Sequence, residues 1–314
     1  MAGNDIRKAL EARLGKSPAG ALGGGAGDRL RLGSDTPGAK TLPGGIEEEL
    51  HQRAEARQEG ANVQVYFVMD TTGSMASVIS RVKESAGYIG RELLEADKGI
   101  EVCVLGVGDH CDRTELERAG VRMLGTYGQD NSFTRNTSAL TGQVSGLINT
   151  HGGDEPEAYE CLAADLSTRI MDAKKVAPTT KQVVIMFGDA MPHGTQSRSF
   201  SVGGYNYSFA DDGCPNQKGP NQLVALATVA DYTYMVGCGG TTGEEVFRQG
   251  TYEPTKVTGR STFVRFDEAK TILPEAIVGM VQKVRGPETY QKFLDQLAGP
   301  TADKVRLMLT GGSQ

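Results

Sequence analysis

The 314-residue sequence lacks the features of membrane-spanning, secreted or nucleic-acid-binding proteins. No apolar run approaches the roughly 18–20 residues that cross a bilayer. No long basic block occurs, and the formal net charge is −6, so nucleic acid is not an obvious partner. The polar, amphipathic start MAGNDIRKALEARLGK has no apolar core of the kind that signal peptides carry. We therefore expect a soluble, cytoplasmic protein with no membrane span and no nucleic-acid partner.

Cysteine is scarce, and its spacing matches no common zinc motif. The five cysteines are Cys103, Cys111, Cys161, Cys214 and Cys238, and no CxxC pair occurs. Three of them lie in apolar patterns and are predicted core residues, whereas Cys111 and Cys214 lie in polar loops. A disulfide between those two is disfavoured in a reducing compartment.

What the sequence does contain, from about residue 62 onward, is an alternation of predicted strands and helices. Apolar or edge-type runs predict strands over 63–69, 100–107, 121–127, 182–187, 232–237 and 262–266. Helical spacing of apolar residues predicts helices over 75–93, 138–148, 155–171, 223–230, 274–284, 287–298 and 300–309. This order predicts a doubly wound α/β fold, in which a mostly parallel, Rossmann-like sheet carries helices on both faces. Ligands of such folds bind at the carboxyl ends of the strands.

Composition divides the chain into a main domain and flanking segments. The predicted units are a short helix at 1–16, a Gly- and Pro-rich linker or arm at 17–45, a charged helix at 46–60, the main domain at 61–285 with a long insertion at about 191–219, and a helical extension at 286–314.

The first of three acid-bearing loops is DTTGS, which follows the apolar run VQVYFVM. Asp70 ends the predicted strand, and Thr72 and Ser74 follow two and four positions later, so a tight turn can aim three oxygens into one hollow. Gly73 permits a close approach of the backbone. The alternative is that Thr72 or Ser74 caps the following helix.

The other two loops add carboxylates to the same predicted rim. The acids of THGGDEPE, at 150–157, open a helix and could simply complement its dipole. Asp189 lies in GDAMPHG, the loop that directly follows the strand VVIMF, and could be a turn residue. Together the three loops offer only oxygen ligands, which suit a hard cation such as Mg²⁺, Mn²⁺ or Ca²⁺. Neutral hydroxyl ligands would leave that cation with charge to attract an outside carboxylate or phosphate.

These motifs, in this order, resemble the von Willebrand factor A (vWA) family over about residues 62–284. DTTGS is similar to that family's DxSxS metal-ion-dependent adhesion site. FVMDTTGSM, GVGDHCD, GGDEPEA and GDAMPHG together resemble a subgroup found beside α-kinases and in many bacterial proteins. The resemblance implies that Asp70, Thr72 and Ser74 are metal ligands of the first loop and that Asp189 is the acid of the last.

The middle loop offers two candidate ligands, Thr150 before its glycines and Glu157 after them. Many family members use a threonine here, but GGDEPEA resembles the DxPE segment of integrin β subunits, which favours Glu157. The same resemblance implies that Asp154 binds a neighbouring second cation. The subgroup carries RDH where this chain has GDH at 108–110, so the resemblance assigns no role to His110.

Residues near the third loop are candidates for indirect roles. His193 follows Asp189, and loop packing is favoured over a role beside the metal or against a partner. Tyr205, Tyr207 and Phe209 lie in the insertion, and exposed aromatic residues beside a site suit an interface with a partner. The alternative is that they pin the insertion to its own domain.

The favoured function is a metal-dependent protein-binding module, whose cation takes an acidic side chain from a protein partner. It would act as an adaptor or assembly subunit of a bacterial multi-protein system, and family partners include ATPases and kinases. An architectural subunit with a structural metal is the alternative. A phosphatase or hydrolase is less favoured, since Thr72 stands where a haloacid-dehalogenase-type enzyme needs a second acid and no Walker A motif occurs. We therefore expect no enzymatic activity.

Overall fold

A seven-stranded sheet organises the part of the chain that the computed structural model describes. The described residues are 62–95, 98–152, 156–194 and 213–310, with the backbone alone of 199–202 and 205–208. They belong to one compact unit, Glu49–Gln314, and the other unit, Met1–Glu48, lies outside them. The predicted N-terminal helix, linker and charged helix therefore also lie outside the described residues.

The strands are short at the edges and longest at the centre. Those among the described residues are β1 (Val63–Asp70), β2 (Ile100–Val107), β3 (Met123–Leu124), β4 (Gly128–Gln129), β5 (Pro156–Glu157), β6 (Lys181–Gly188), β7 (Met191–Pro192), β8 (Ser199–Val202), β9 (Tyr205–Ser208), β10 (Tyr232–Gly237) and β11 (Ser261–Arg265). The main sheet has the order β11-β10-β6-β1-β2-β4-β3, while β5 pairs with β7 and β8 with β9.

The helices of the described residues follow most of the predicted periodic segments. They are α1 (Ala76–Gly90), α2 (Arg113–Arg118), α3 (Thr137–Ser145), α4 (Tyr159–Val176), α5 (Asn221–Val229), α6 (Gly240–Phe247), α7 (Glu253–Thr255), α8 (Phe266–Ala269), α9 (Leu273–Arg285), α10 (Pro287–Gln296) and α11 (Gly299–Leu309). None of the helices described is both long enough and apolar enough to cross a membrane.

The centre of the sheet is parallel. Phe67 of β1 faces Val104 of β2 on one side and Ile185 of β6 on the other, and β10 and β11 continue the parallel pairing. In the main sheet, β4 pairs antiparallel with β2 and with β3. Continuous apolar runs form these central strands because both faces of the sheet are covered.

Alternate residues of each central strand enter different apolar cores. Val65 and Phe67 pack in the core that includes α1, α3 and α9 to α11, whereas Tyr66 and Val68 pack in the core that includes α4 and α5. Helices thus cover both faces, and the predicted doubly wound α/β architecture with a mostly parallel sheet is confirmed. The core contacts of α10 and α11 include Phe293 and Val305.

One predicted helix boundary is wrong in a way that matters for the site. The helix predicted over 155–171 begins at Tyr159. The two residues Pro156 and Glu157 instead form β5, which pairs in parallel with β7. Tertiary pairing therefore overrides the local helical pattern at these two positions.

Candidate cation site at the rim of the sheet

The carboxyl ends of β1 and β6 lie side by side and deliver two of the predicted acids. Asp70 is the last residue of β1, and Asp189 directly follows β6. Met69 pairs with Phe187 in parallel register, so both acids emerge at the same edge. In the sheet, β2 lies on one side of β1, and β6 lies on its other side with β10 beyond it. The chain therefore leaves β1 in one direction and leaves β6 in the opposite direction. That divergence makes the crevice in which open α/β sheets bind ligands.

Asp70 is fully buried and held by three hydrogen bonds. Its Oδ1 accepts from the Thr72 backbone N–H at 2.9 Å and from the Thr72 hydroxyl at 2.6 Å. Its Oδ2 accepts from the Tyr159 hydroxyl. The Thr72 and Ser74 hydroxyl oxygens lie 3.4 Å apart, and Ser74 donates to Asp189 Oδ1 at 3.1 Å. Hydroxyls and carboxylates therefore form one connected group around the crevice.

The capping interpretation of the two hydroxyls is wrong. Among the described residues, neither the 3-10 turn Gly73–Met75 nor α1 has a side-chain hydrogen bond at its N-cap. Both the amide and the hydroxyl of Thr72 instead donate to the carboxylate of Asp70. A carboxylate is a stronger acceptor than a neutral group, so Thr72 bonds to Asp70 rather than to the backbone of the following turn.

The structure gives the two middle-loop candidates different surroundings. The pairing of β5 with β7 aligns Glu157 with Pro192 and brings it next to the loop of Asp189. Glu157 is buried, and its Oε2 has no hydrogen-bond partner among the described residues. Thr150 donates its N–H to the Thr71 carbonyl at 2.7 Å, and their hydroxyl oxygens lie 3.3 Å apart. An open cavity at this edge of the sheet, the rim cavity, is lined by Glu157, and Thr150 is not among its described lining residues.

An open cavity of about 370 Å³ lies over these groups. Its walls include Thr72, Ser74, Glu157 and Asp189, together with Gly239 from the turn after β10. Gly239 has φ 78°, and a Cβ there would lie 2.8 Å from the Cβ of Asp189. Glycine at this position lets the neighbouring loop close against the acid.

Burial raises the pKa of all three rim carboxyls. At Asp70 the burial effect is reinforced by the charge of Asp189, and at Glu157 by the charge of Asp70 and other acids. Burial also raises the pKa of Asp189. No Lys or Arg is among the described residues that line the cavity. Acids gathered in this way must be compensated by protons or by a cation. Carboxylates and hydroxyls are ligands that Mg²⁺, Mn²⁺ or Ca²⁺ prefer, so the donor set fits such an ion.

His193 is buried beside the rim rather than in the cavity. Its Nε2 lies 2.8 Å from Asp109 Oδ1, and its backbone N–H donates to Glu160 Oε2 at 3.1 Å. Burial alone would raise the pKa of Asp109, but hydrogen bonds from His193 and Cys111 outweigh it and lower that pKa to about 2. His193 therefore links the turn after β7 to the loop that follows β2.

The remaining predicted residues are only partly described. Tyr205 and Tyr207 lie in β9, which pairs with β8 as an antiparallel hairpin within the insertion, and only their backbone is described. Asp154 and Phe209 lie outside the described residues.

Sequence reasoning missed Tyr159 and a second group of ligand-type side chains. Tyr159 is the first residue of α4, and its hydroxyl donates a hydrogen bond to Asp70, a contact that no local sequence motif predicts. The second group, the buried cluster, consists of His110, Glu160, Cys161 and Cys214. Cys214 lies in a loop, as predicted, but its side chain is buried, and no cysteine among the described residues is in a disulfide.

Comparisons with known proteins give structural neighbours but no sequence relatives. No protein-family model and no curated protein matches this sequence. Among solved structures, the chain is similar to the pilus adhesin SpaC from Lactobacillus rhamnosus GG in its open conformation, at 13% identity and a TM-score of 0.48. That match covers 71% of this chain and 30% of the adhesin chain, so this chain spans about 30% of the adhesin's length.

Two further structural matches are weaker. Another form of the same adhesin matches at 13% identity and a TM-score of 0.42, covering 80% of this chain and 31% of that one. The VWA domain of SpRpn10 matches at 11% identity and a TM-score of 0.37, covering 65% of this chain and 87% of that one. A vWA domain and a pilus adhesin are thus among the structures that this chain resembles.

Proposed function

We propose that this chain is a vWA-type, metal-dependent protein-binding module. In this proposal Asp70, Thr72, Ser74, Glu157 and Asp189 hold one divalent cation, with Mg²⁺ as the first candidate and Mn²⁺ or Ca²⁺ as alternatives. The module acts as an adaptor or assembly subunit of a bacterial multi-protein system in the cytoplasm. It is not an enzyme, and its partner is a protein that offers an acidic residue to the metal: an ATPase, a kinase or another component of the same system.

The observation that carries the proposal is the buried Oε2 of Glu157. It has no hydrogen-bond partner among the described residues and belongs to a side chain that lines an open cavity with Asp189. Leaving a buried carboxylate oxygen unpaired is costly. A cation in the cavity would satisfy it and would also offset the repulsion between the three acids.

The residues of the site would have different roles around such an ion. Asp70 is oriented by Thr72 and Tyr159, so its carboxylate is set before a ligand arrives. Ser74 and Thr72 contribute neutral oxygens, which leave a bound cation able to attract an outside carboxylate. The openness of the cavity gives a partner's Asp or Glu access to that position.

The first experiment measures cation binding by isothermal titration calorimetry with Mg²⁺, Mn²⁺ and Ca²⁺. Wild type is compared with Asp70→Ala and with Asp303→Asn, which removes an exposed acid on α11 that pairs with Arg306. We expect binding by wild type and Asp303→Asn and loss of binding by Asp70→Ala. Equal, weak binding by all three proteins would contradict the proposed cation site.

The second experiment tests the binding function. Proteins captured by tagged wild type in Mg²⁺ are compared with those captured in EDTA, after Mg²⁺ is restored, and by Asp70→Ala. We expect a partner that requires both Mg²⁺ and Asp70. Capture that survives EDTA and Asp70→Ala would favour the architectural alternative. Turnover of a phosphoester panel that Asp189→Ala abolishes would instead establish an enzyme.

A further inference from the structure

Four side chains from three separate segments meet in the buried cluster. His110 belongs to the 3-10 turn after β2, Glu160 and Cys161 lie in the first turn of α4, and Cys214 lies near the end of the insertion. One ligand-type atom of each, the His Nε2, a carboxylate oxygen and two sulfurs, lies within 4.8 Å of the others. We propose that the buried cluster is a structural zinc site. This inference does not rest on the proposed function.

The ligand set is the first argument for zinc. Thiolates and imidazole are ligands that zinc prefers, and a carboxylate oxygen is an accepted fourth ligand. The hard cations proposed for the rim favour oxygen and would not select two sulfurs. The buried cluster and the rim therefore suit different ions.

The spacing of the atoms is the second argument. The separations are 3.4 Å between Cys161 Sγ and Cys214 Sγ, 3.6 Å between Cys214 Sγ and His110 Nε2, and 3.2 Å between His110 Nε2 and Glu160 Oε1. With Zn–S of about 2.3 Å and Zn–N or Zn–O of about 2.0–2.1 Å, a tetrahedral site has edges of about 3.8, 3.6 and 3.3 Å for these pairs. These three separations are close to the edges of a tetrahedral zinc site, although the sulfur pair is shorter, and the other three pairs of ligand atoms lie within 4.8 Å of one another.

The surroundings suit a closed, structural site. Glu160 and Cys161 are fully buried, and Cys214 is 9% exposed. The Asn216 side-chain amide donates to Cys161 Sγ at 3.2 Å, and the His193 backbone N–H donates to Glu160 Oε2 at 3.1 Å. Such outer donors stabilise thiolates and orient carboxylates at metal sites. A structural zinc site fills all four positions with protein ligands, as these residues would do.

A disulfide between Cys161 and Cys214 is the competing explanation of the paired sulfurs. Their 3.4 Å separation is longer than the roughly 2.05 Å of a disulfide bond. A disulfide would also leave the buried Glu160 carboxylate with His110 as its neighbour and would not explain why four ligand-type side chains converge. Zinc uses all four groups, so the structure favours it.

The proposed zinc would fasten the end of the insertion to the core. Cys214 is 53 residues from Cys161 and 104 from His110 in the chain, so one ion would close two long loops. Glu160 lies only three residues after Glu157, and His110 follows Asp109, the acceptor for His193. The site would thus hold the segments that surround the rim.

The test measures zinc directly in the full chain. Protein purified under reducing conditions without chelator is dialysed and analysed by inductively coupled plasma mass spectrometry. Wild type is compared with the double variant Cys161→Ser/Cys214→Ser, with Cys111→Ser, which changes the exposed thiol next to His110, and with Asp70→Ala. We expect about one zinc per chain in wild type, Cys111→Ser and Asp70→Ala, and at least a tenfold loss in the double variant.

A second measurement, on wild type alone, tests the proposal even if the double variant fails to fold. Wild type stripped of metal is titrated with Co²⁺, and the thiolate-to-cobalt charge-transfer and tetrahedral d–d bands are recorded. We expect both bands to saturate at one Co²⁺ per chain and to disappear on addition of one equivalent of Zn²⁺. Absence of zinc in wild type together with absence of these bands would overturn the proposal. A non-reduced peptide that joins Cys161 to Cys214 would overturn it in favour of a disulfide.

Discussion

The rim cavity and the buried cluster lie close together in the fold and contrast in almost every physical respect. The rim offers carboxylates and hydroxyls in an open cavity of about 370 Å³. The buried cluster offers two thiols, an imidazole and a carboxylate, and Glu160 and Cys161 are fully buried. Hard oxygen ligands with an open face suit a cation that recruits a partner, whereas a closed sulfur-rich set suits an ion that holds the fold.

The contrast also concerns how each group is assembled. Asp70, Thr72 and Ser74 come from five consecutive positions, and Asp189 follows the neighbouring strand. The members of the buried cluster come from the turn after β2, the first turn of α4 and the end of the insertion. Both groups draw on the segment from β5 to the start of α4, because Glu157 lies in β5 and Glu160 lies in the first turn of α4.

The largest expected effect separates the two regions by ligand removal. Asp70→Ala should weaken Mg²⁺ binding by more than about 100-fold, because loss of even an outer-shell partner typically costs about 10–100-fold. Its zinc content should stay at that of wild type. Cys161→Ser should show the reverse, with zinc lost and Mg²⁺ affinity changed by less than about tenfold. Calorimetry and metal analysis on the same preparations check both. Loss of zinc in Asp70→Ala together with loss of Mg²⁺ binding in Cys161→Ser, with the circular dichroism of both variants unchanged from wild type, would contradict the separation of the two regions.

Removal of the Tyr159 hydroxyl should have the next largest effect. This hydroxyl donates to Asp70 Oδ2, and the ring packs edge-on against Phe247 with centroids 5.5 Å apart, a contact that Tyr159→Phe preserves. We expect Mg²⁺ affinity to fall about 10–100-fold because the carboxylate loses an orienting donor. Tyr127→Phe is the matched control, since it removes a hydroxyl that donates to Asp165. Equal affinities for the two variants would show that Tyr159 only packs.

The sequence predicted the rim better than the buried cluster for a physical reason. Strand ends carry local signals, so apolar runs followed by Asp70 and Asp189 located both acids and the α/β fold. The role of Tyr159 and the burial of Cys214 depend on how distant segments pack. Cysteine spacing excluded local zinc motifs, but a cluster drawn from three segments that lie 50 to 104 residues apart leaves no local pattern.

The charge balance of the rim should change with pH in the metal-free protein. Burial, reinforced by neighbouring acids, raises the pKa of Glu157 above its ordinary value of 4.5. The folded state therefore holds a proton that the unfolded state releases above about that pH, so stability falls as pH rises. Glu157→Gln removes this loss and should raise Tm by about 2–4 °C at pH 7.5, corresponding to about 1 kcal/mol.

Thermal melts in metal-free buffer at pH 4.5 and pH 7.5 check this prediction. The advantage of Glu157→Gln should shrink at the lower pH, because the unfolded wild-type chain then also binds a proton at this position and folding no longer has to take one up. With saturating Mg²⁺ the order should reverse, since a ligand that binds only the folded state stabilises wild type by about 2.7 kcal/mol at 100 times its Kd. A pH-independent gain would instead indicate a packing effect unrelated to charge.

The smallest expected effect decides between the two middle-loop residues. The Thr150 hydroxyl lies 3.3 Å from that of Thr71 and is buried below the rim, so Thr150→Val should change Mg²⁺ affinity by less than about threefold. Thr72→Val, an equal change in shape at a cavity-lining residue, should weaken it by at least about tenfold. Calorimetry of the two variants isolates the hydroxyl, because both substitutions keep a β-branched side chain. If Thr150→Val lost as much affinity as Thr72→Val, the middle-loop ligand would be Thr150. The buried, unpartnered oxygen of Glu157 would then be stabilised by a proton and not by a cation.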